Sequence, residues 1–166
     1  TNRFLLTRDA SVIDSSDSNA THPASKAFDG STAATPSNRW SPKQLALPNV
    51  YLTWQFTSSF KVIDYKIKGQ DELPGNRGPK DFKLQGSNNG ASWTDLDVVT
   101  GETGWTANEL RAYNVDNPGI YTYYKLLISA AEGVDTFLGL REVELWGGSG
   151  GSSATFSANL TTVTTN

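Results

Sequence analysis

Between Lys26 and Asn38 the chain concentrates oxygen. Asp29 carries a carboxylate, Gly30 permits a tight turn, and Ser31, Thr32, Thr35 and Asn38 add hydroxyl, amide and carbonyl oxygens within one loop. Calcium takes about six to eight hard oxygens from one or two carboxylates and from carbonyls that a tight loop turns inward, so this segment suits that ion. The alternative reading is a plain Asp-Gly turn. Hydrolytic catalysis finds much less to work with, because the chain has one His and no Cys. His22 precedes Pro23 in a polar loop, as a solvated residue or a ligand contact. The 17 acidic residues include material for a carboxylate pair, yet a sequence does not show two of them facing across a cleft. Outside the Gly/Ser run at 147 to 153 no Gly-x-Ser-x-Gly occurs, nor does His-Glu-x-x-His anywhere, and the chain reads as non-catalytic.

The elements that must carry these loops are strands. Val50 to Phe56, Phe60 to Lys68, Asp81 to Gly86, Thr94 to Val99, Leu110 to Val115, Tyr121 to Ser129 and Arg141 to Trp146 alternate apolar and polar residues or gather β-branched and aromatic types. Turn signals separate them at Asp29-Gly30, Leu73 to Pro79, Asn88-Asn89-Gly90 and Asp116 to Gly119. No segment sustains a helical period, and the pattern predicts a β-sandwich. Hydrophobic residues at 37% supply enough apolar surface for one folded domain in 166 residues. The Gly/Ser run at 147 to 153 divides that domain, residues 1–147, from a tail at 148–166 that reads as a linker or the start of a following module. A net charge of -3 with both signs scattered lacks the basic face of a nucleic-acid binder. No apolar run reaches the roughly 20 residues needed to span a bilayer. The lack of Cys excludes disulfides and thiolate metal sites.

Three pieces fall in a characteristic order: Lys26-Ala27-Phe28-Asp29-Gly30, then Asp81 to Trp93, then Leu138 to Gly147. Together they resemble the coagulation factor five/eight type C (discoidin) domain, and within it the bacterial carbohydrate-binding modules of family 32. The resemblance implies an all-β, discoidin-like sandwich of jelly-roll type with about eight antiparallel strands. It also implies a structural Ca2+ held by the Lys26, Ser31 and Arg141 carbonyls, by Asp29 and Glu142, and by Thr35 or Asn38. The choice between the last two stays open because about four extra residues separate Asp29 from Trp40. Glu142 is preferred over Glu144 for its place in the motif. Animal relatives usually carry a disulfide between their ends, so its absence points to a bacterial module, and the resemblance implies a secreted or extracellular protein.

A sugar is held by an aromatic face against its C–H side and by planar polar groups that bond vicinal hydroxyls, and end loops of a rigid sandwich bring such groups together. Galactose-binding relatives place a His and an aromatic just after the Trp of the first motif, where this chain reads Trp40-Ser41-Pro42-Lys43-Gln44-Leu45. The candidates are Arg39, Lys43 and Gln44, then Asp71, Glu72, Asn76 and Arg77, and Phe137, which either stacks on a sugar or closes the core. Arg77 with Lys43 suits an acidic uronate sugar such as alginate or pectin. Trp40, Trp54, Trp93 and Trp146 are expected in the core. Trp105 either is exposed or packs, as the Gly-Trp-Thr of such modules does, and Arg111 and Lys125 read as solvated strand charges. The expected role is a monomeric glycan-binding module covalently linked to a polysaccharide-active enzyme. Adhesion to protein or lipid, a galactoside-binding lectin module and a passive spacer are the alternatives.

Overall fold

Val50 to Gly69 makes one strand where the alternation predicts two. In the computed structural model, which describes residues 3–7, 10–16, 20–33, 35, 37–70, 77–133 and 137–149, eight strands follow one another. They are β1 (Phe4–Leu5), β2 (Ser11–Ser15), β3 (Val50–Gly69), β4 (Pro79–Ser87), β5 (Thr94–Val99), β6 (Leu110–Asn114), β7 (Ile120–Ala131) and β8 (Leu140–Ser149). All their pairings are antiparallel. β3 joins the two layers: its first half pairs with β2 and β7, and its second half with β8 and β6. β4 and β5 extend the first layer from β7, and β1 extends the second from β8. The hydrogen bonds thus form one continuous sheet that folds over on itself, as a strand long enough to serve both layers allows.

The gap in the predicted pattern, residues 57 to 59, marks the register break between Gln55 and Phe60. A second break against β8 falls between Val62 and Asp64. It shifts the inward phase by one residue, so Val62 and Tyr65 are both buried and Ile63 is left 41% exposed. β1 and β2 escape sequence reading because one is two residues long and the other, Ser-Val-Ile-Asp-Ser, carries no sustained alternation.

Between the layers lie Leu52, Trp54 and Phe56 of β3, Phe82 and Leu84 of β4, Leu96 of β5, Tyr124, Leu126 and Ile128 of β7, and Val143 and Leu145 of β8. Rings lock the contact: Tyr65 lies 6.5 Å from Phe82 and stacks 5.2 Å from Tyr113. The Tyr65 hydroxyl donates to the buried Asp97 carboxylate at 2.7 Å, and burial pushes its pKa well above the usual range. Tyr65→Phe keeps the ring but strips a buried acceptor of its donor, so urea unfolding should show a loss of about 1.5–3 kcal/mol. An unchanged midpoint would mean that water replaces the hydroxyl.

Trp105 is buried, and its indole N–H donates to the Pro79 carbonyl at 3.0 Å. Arg111 is no solvated charge: its guanidinium lies 4.1 Å from the Trp105 ring and pairs with Glu102 and Glu109. The Arg111 hydrogen bond, with support from the Thr106 amide, holds the Glu109 carboxyl down at about 2.

Candidate functional site

The loops that close one end of the sandwich are joined by backbone. The Trp40 amide donates to Leu140 O at 2.8 Å and the Leu140 amide returns to Trp40 O at 3.1 Å. Leu138 N donates to Pro42 O at 2.9 Å, and Lys43 bridges Phe137. Arg77 is tied in through its carbonyl, which accepts from Gly139 N at 3.0 Å, and His22 O accepts from Ser41 N at 3.3 Å. Trp40, fully buried, anchors the loop from below.

These ties bring four separate segments around one cavity of about 260 Å³ lined by Thr21, His22, Arg39, Ser41, Arg77 and Phe137. Arg39 is buried and its Nε donates to Ser41 Oγ at 2.9 Å. His22 presents a buried Nδ1 with no hydrogen-bond partner among the described residues. Phe137 faces the cavity while its neighbour Leu138 enters the core, which separates two roles that the sequence leaves on one residue. No carboxylate is among the described residues of the lining.

Lys43 and Gln44 do not line this cavity. Lys43 is exposed, and the Gln44 side chain donates to Phe137 O at 3.1 Å, so it braces the loop. Asp71, Glu72 and Asn76 lie outside the described residues. His22 has only a minor place in the sequence reading because it sits 17 positions before Arg39, and nothing local ties it to Ser41.

Beside the cavity, the oxygen-rich loop meets β8. Gly30 sits at φ +68, a conformation that disfavours side chains. Its amide donates to Glu142 Oε1 at 3.1 Å, and the next amide, Ser31, donates to Asp29 Oδ1 at 2.8 Å. Lys26 Nζ reaches Asp29 Oδ2 at 3.3 Å. Asn38 is buried and its amide nitrogen spans Ser31 O at 3.5 Å and Ala33 O at 3.2 Å. Thr35 is exposed, with its hydroxyl 3.3 Å from Ser37 Oγ. The buried Arg141 donates from Nε to Asn38 O at 3.3 Å and bonds the Asn108 side chain through Nη1. Glu142 is buried, whereas Glu144 is half-buried and accepts from Trp146 Nε1 at 2.7 Å. Two carboxylates therefore converge on successive amides of one loop, with Asn38 at its centre and Thr35 at its rim. Among the described residues no three His, Cys, Asp or Glu cluster as a metal set, so a cation here would draw on main-chain oxygens.

The model of the F5/8 type C domain matches residues 11–143. The chain belongs to that family. No curated protein matches it in sequence. The fold is shared with a family 32 carbohydrate-binding module of Clostridium perfringens NanJ in complex with galactose, at 17% identity and TM-score 0.64 over 87% of this chain and 99% of that one. The third such module of a family 31 glycoside hydrolase from Clostridium perfringens gives TM-score 0.69 at 15% identity, over 87% and 95%. The module of Streptococcus pneumoniae EndoD gives 0.66 at 17%, over 86% and 98%. At these identities the likeness establishes the F5/8 type C fold as common to all of them. No helix among the described residues is long and apolar enough to cross a membrane.

Proposed function

We propose that this F5/8 type C domain is a non-catalytic carbohydrate-binding module, stabilised by calcium, that holds a secreted polysaccharide-active enzyme on its substrate. A uronic-acid polymer such as alginate or pectin is the ligand class. One observation carries the reading: two arginines, a histidine and a phenylalanine from four separate segments line one cavity at the loop end of the sandwich. Arg77 and Arg39 suit a sugar carboxylate in planar geometry, and Phe137 suits the apolar face of the ring. The backbone ties between loops favour binding without reorganisation. Tethering then raises local substrate concentration for a linked enzyme even where each contact is weak.

Calcium would be held by Asp29 and Glu142 with the carbonyls of Lys26, Ser31 and Arg141 and the Asn38 side chain, and it would fix the turn next to the cavity. A galactoside is the second reading, supported by the place of His22 in the cavity lining beside Phe137. Lipid adhesion fits less well, because Leu138 is buried and Ala46 and Leu47 pack against the core.

An affinity-gel and glycan-array screen of the chain against alginate, pectin and galactosides, with and without a calcium chelator, tests this. Retention by a uronate polymer is the expected result. Retention by galactosides alone would install the second reading, and silence from a folded, calcium-responsive protein would discard both.

A further inference from the structure

The outward face of the first layer carries a second concave surface that shares no residue with the loop cavity. Tyr51, Thr53 and Gln55 alternate onto one side of β3. Lys125 and Tyr123 of β7 stand opposite Thr53 and Gln55, and Asp14 of β2 flanks Thr53 from the other edge. The turn between β4 and β5 rises beside them and adds Trp93, giving a groove of about 440 Å³. Its length along β3 from Tyr51 to Gln55 is about 13 Å, from four residue steps of strand rise.

The walls are fixed. Tyr51 donates its hydroxyl to Asp14 at 2.8 Å, and Gln55 Nε2 donates to the Tyr123 hydroxyl at 3.0 Å. The Trp93 turn is held by Asn89 Oδ1, which accepts from the Ala91 and Ser92 amides at 2.9 and 2.8 Å. Gly90, at φ +70, brings that turn against the Tyr123 ring, where an added Cβ would lie 3.1 Å from a ring carbon. Trp93 is thus half-buried on a groove wall, not in the core as the sequence suggests.

Lys125 stands in the middle. Its ammonium lies 4.0 Å from the Trp93 ring and 5.3 Å from that of Tyr51. It forms no ion pair or hydrogen bond among the described residues, so its N–H donors are left for solvent or a ligand. Burial lowers its pKa, with Asp14 pulling the other way. The Lys125 ammonium between the Trp93 and Tyr51 rings repels a cationic ligand. Lys125 and Asp14 balance in charge, and the rest of the lining is aromatic, amide and hydroxyl. That combination matches an uncharged polyol with apolar C–H faces.

We propose that this groove is a second saccharide-binding site, taking a neutral oligosaccharide segment against Tyr51, Trp93 and Tyr123, with Lys125 and Gln55 bonding its hydroxyls. The inference rests on the carbohydrate-binding reading but not on the loop cavity. The chain would then hold a polysaccharide at two separate places, strengthening attachment by avidity.

Isothermal titration and tryptophan fluorescence with cellohexaose, xylohexaose and a galactan hexamer test it, using the full chain, Arg77→Ala, Trp93→Ala and Lys125→Met. Circular dichroism checks that each variant folds, and Trp93→Phe serves as a milder replacement if Trp93→Ala does not. The expected result is binding of at least one hexamer that survives Arg77→Ala and weakens roughly tenfold or more in Trp93→Ala and Lys125→Met. Binding that disappears in Arg77→Ala, or persists unchanged in both groove variants, overturns the groove site and leaves the loop cavity standing. If the hexamers do not bind while uronate polymers do, the groove proposal alone falls. If no glycan binds at all, it falls together with the carbohydrate-binding reading.

Discussion

Arg77→Ala should weaken binding of the uronate polymer by about 10- to 150-fold while leaving the fold intact. The size follows from the loss of a charge-assisted hydrogen-bonded contact, about 1.5–3 kcal/mol, converted at about 1.4 kcal/mol per factor of ten. The Arg77 carbonyl keeps its tie to Gly139 N in this variant, and circular dichroism checks that the fold survives. Arg77→Lys separates charge from geometry: lysine keeps the positive charge but lacks the planar fork, so affinity should recover only in part. Phe137→Ala should also weaken binding, with less dependence on salt, since stacking is less screened than an ion pair. Affinity electrophoresis through alginate gels reads all three. If Arg77→Lys binds as well as the parent, the guanidinium acts only as a charge and bidentate recognition of a carboxylate is wrong. If Arg77→Ala binds as well, the cavity is not the uronate site.

The strands were legible because their residues are local signals. Thr94 to Val99 emerges with the expected bounds, and Leu110 to Asn114 is one residue shorter than read. What stayed hidden is non-local. Joining Val50–Phe56 to Phe60–Lys68 in one strand depends on partners supplied by β7 and β8, which a window over residues 50 to 69 does not contain. In the loops, Arg39, Arg77 and Phe137 could be nominated by type, but their meeting depends on main-chain bonds such as Gly139 N to Arg77 O, which carry no side-chain signature. Lys43 and Gln44 part from Arg39 for the complementary reason. They share a segment with Arg39, yet the short 3-10 turn that begins at Gln44 directs that side chain onto Phe137 O. Lys125 and Trp93 misled through exposure: an alternating strand predicts which face a residue takes, but not that a neighbouring hairpin turn will curl over that face and make a groove of it.

Chelation of calcium should lower the thermal midpoint by roughly 5–10 °C. A ligand present at about 100 times its dissociation constant adds about 2.7 kcal/mol to a folded state that alone binds it, and a chain of this size shifts by about 2–4 °C per kcal/mol. The loop from Lys26 to Asn38 offers the reason for so large an effect. Glu142 is a buried carboxylate with the Gly30 amide at 3.1 Å among its partners, and a cation would add an opposite charge to a desolvated group. Glu142→Gln is the informative variant. It keeps an acceptor for the Gly30 amide while removing the charge, so its midpoint should stop responding to chelator and to added Ca2+. Asp29→Asn, with the Ser31 amide at 2.8 Å, should behave alike. Magnesium should substitute poorly, because a site of mixed carbonyls and few carboxylates does not supply its tight octahedron. Differential scanning calorimetry with chelator, Ca2+ and Mg2+ in parallel reads each of these. A parent midpoint indifferent to chelator would mean that the Gly30 and Ser31 amides, together with Lys26 beside Asp29, satisfy both carboxylates and that the loop is held by hydrogen bonds alone. In that case the loop cavity, tied to the core through Trp40 and Leu140, would keep its shape without a metal, and glycan retention should be equal in chelator and in calcium.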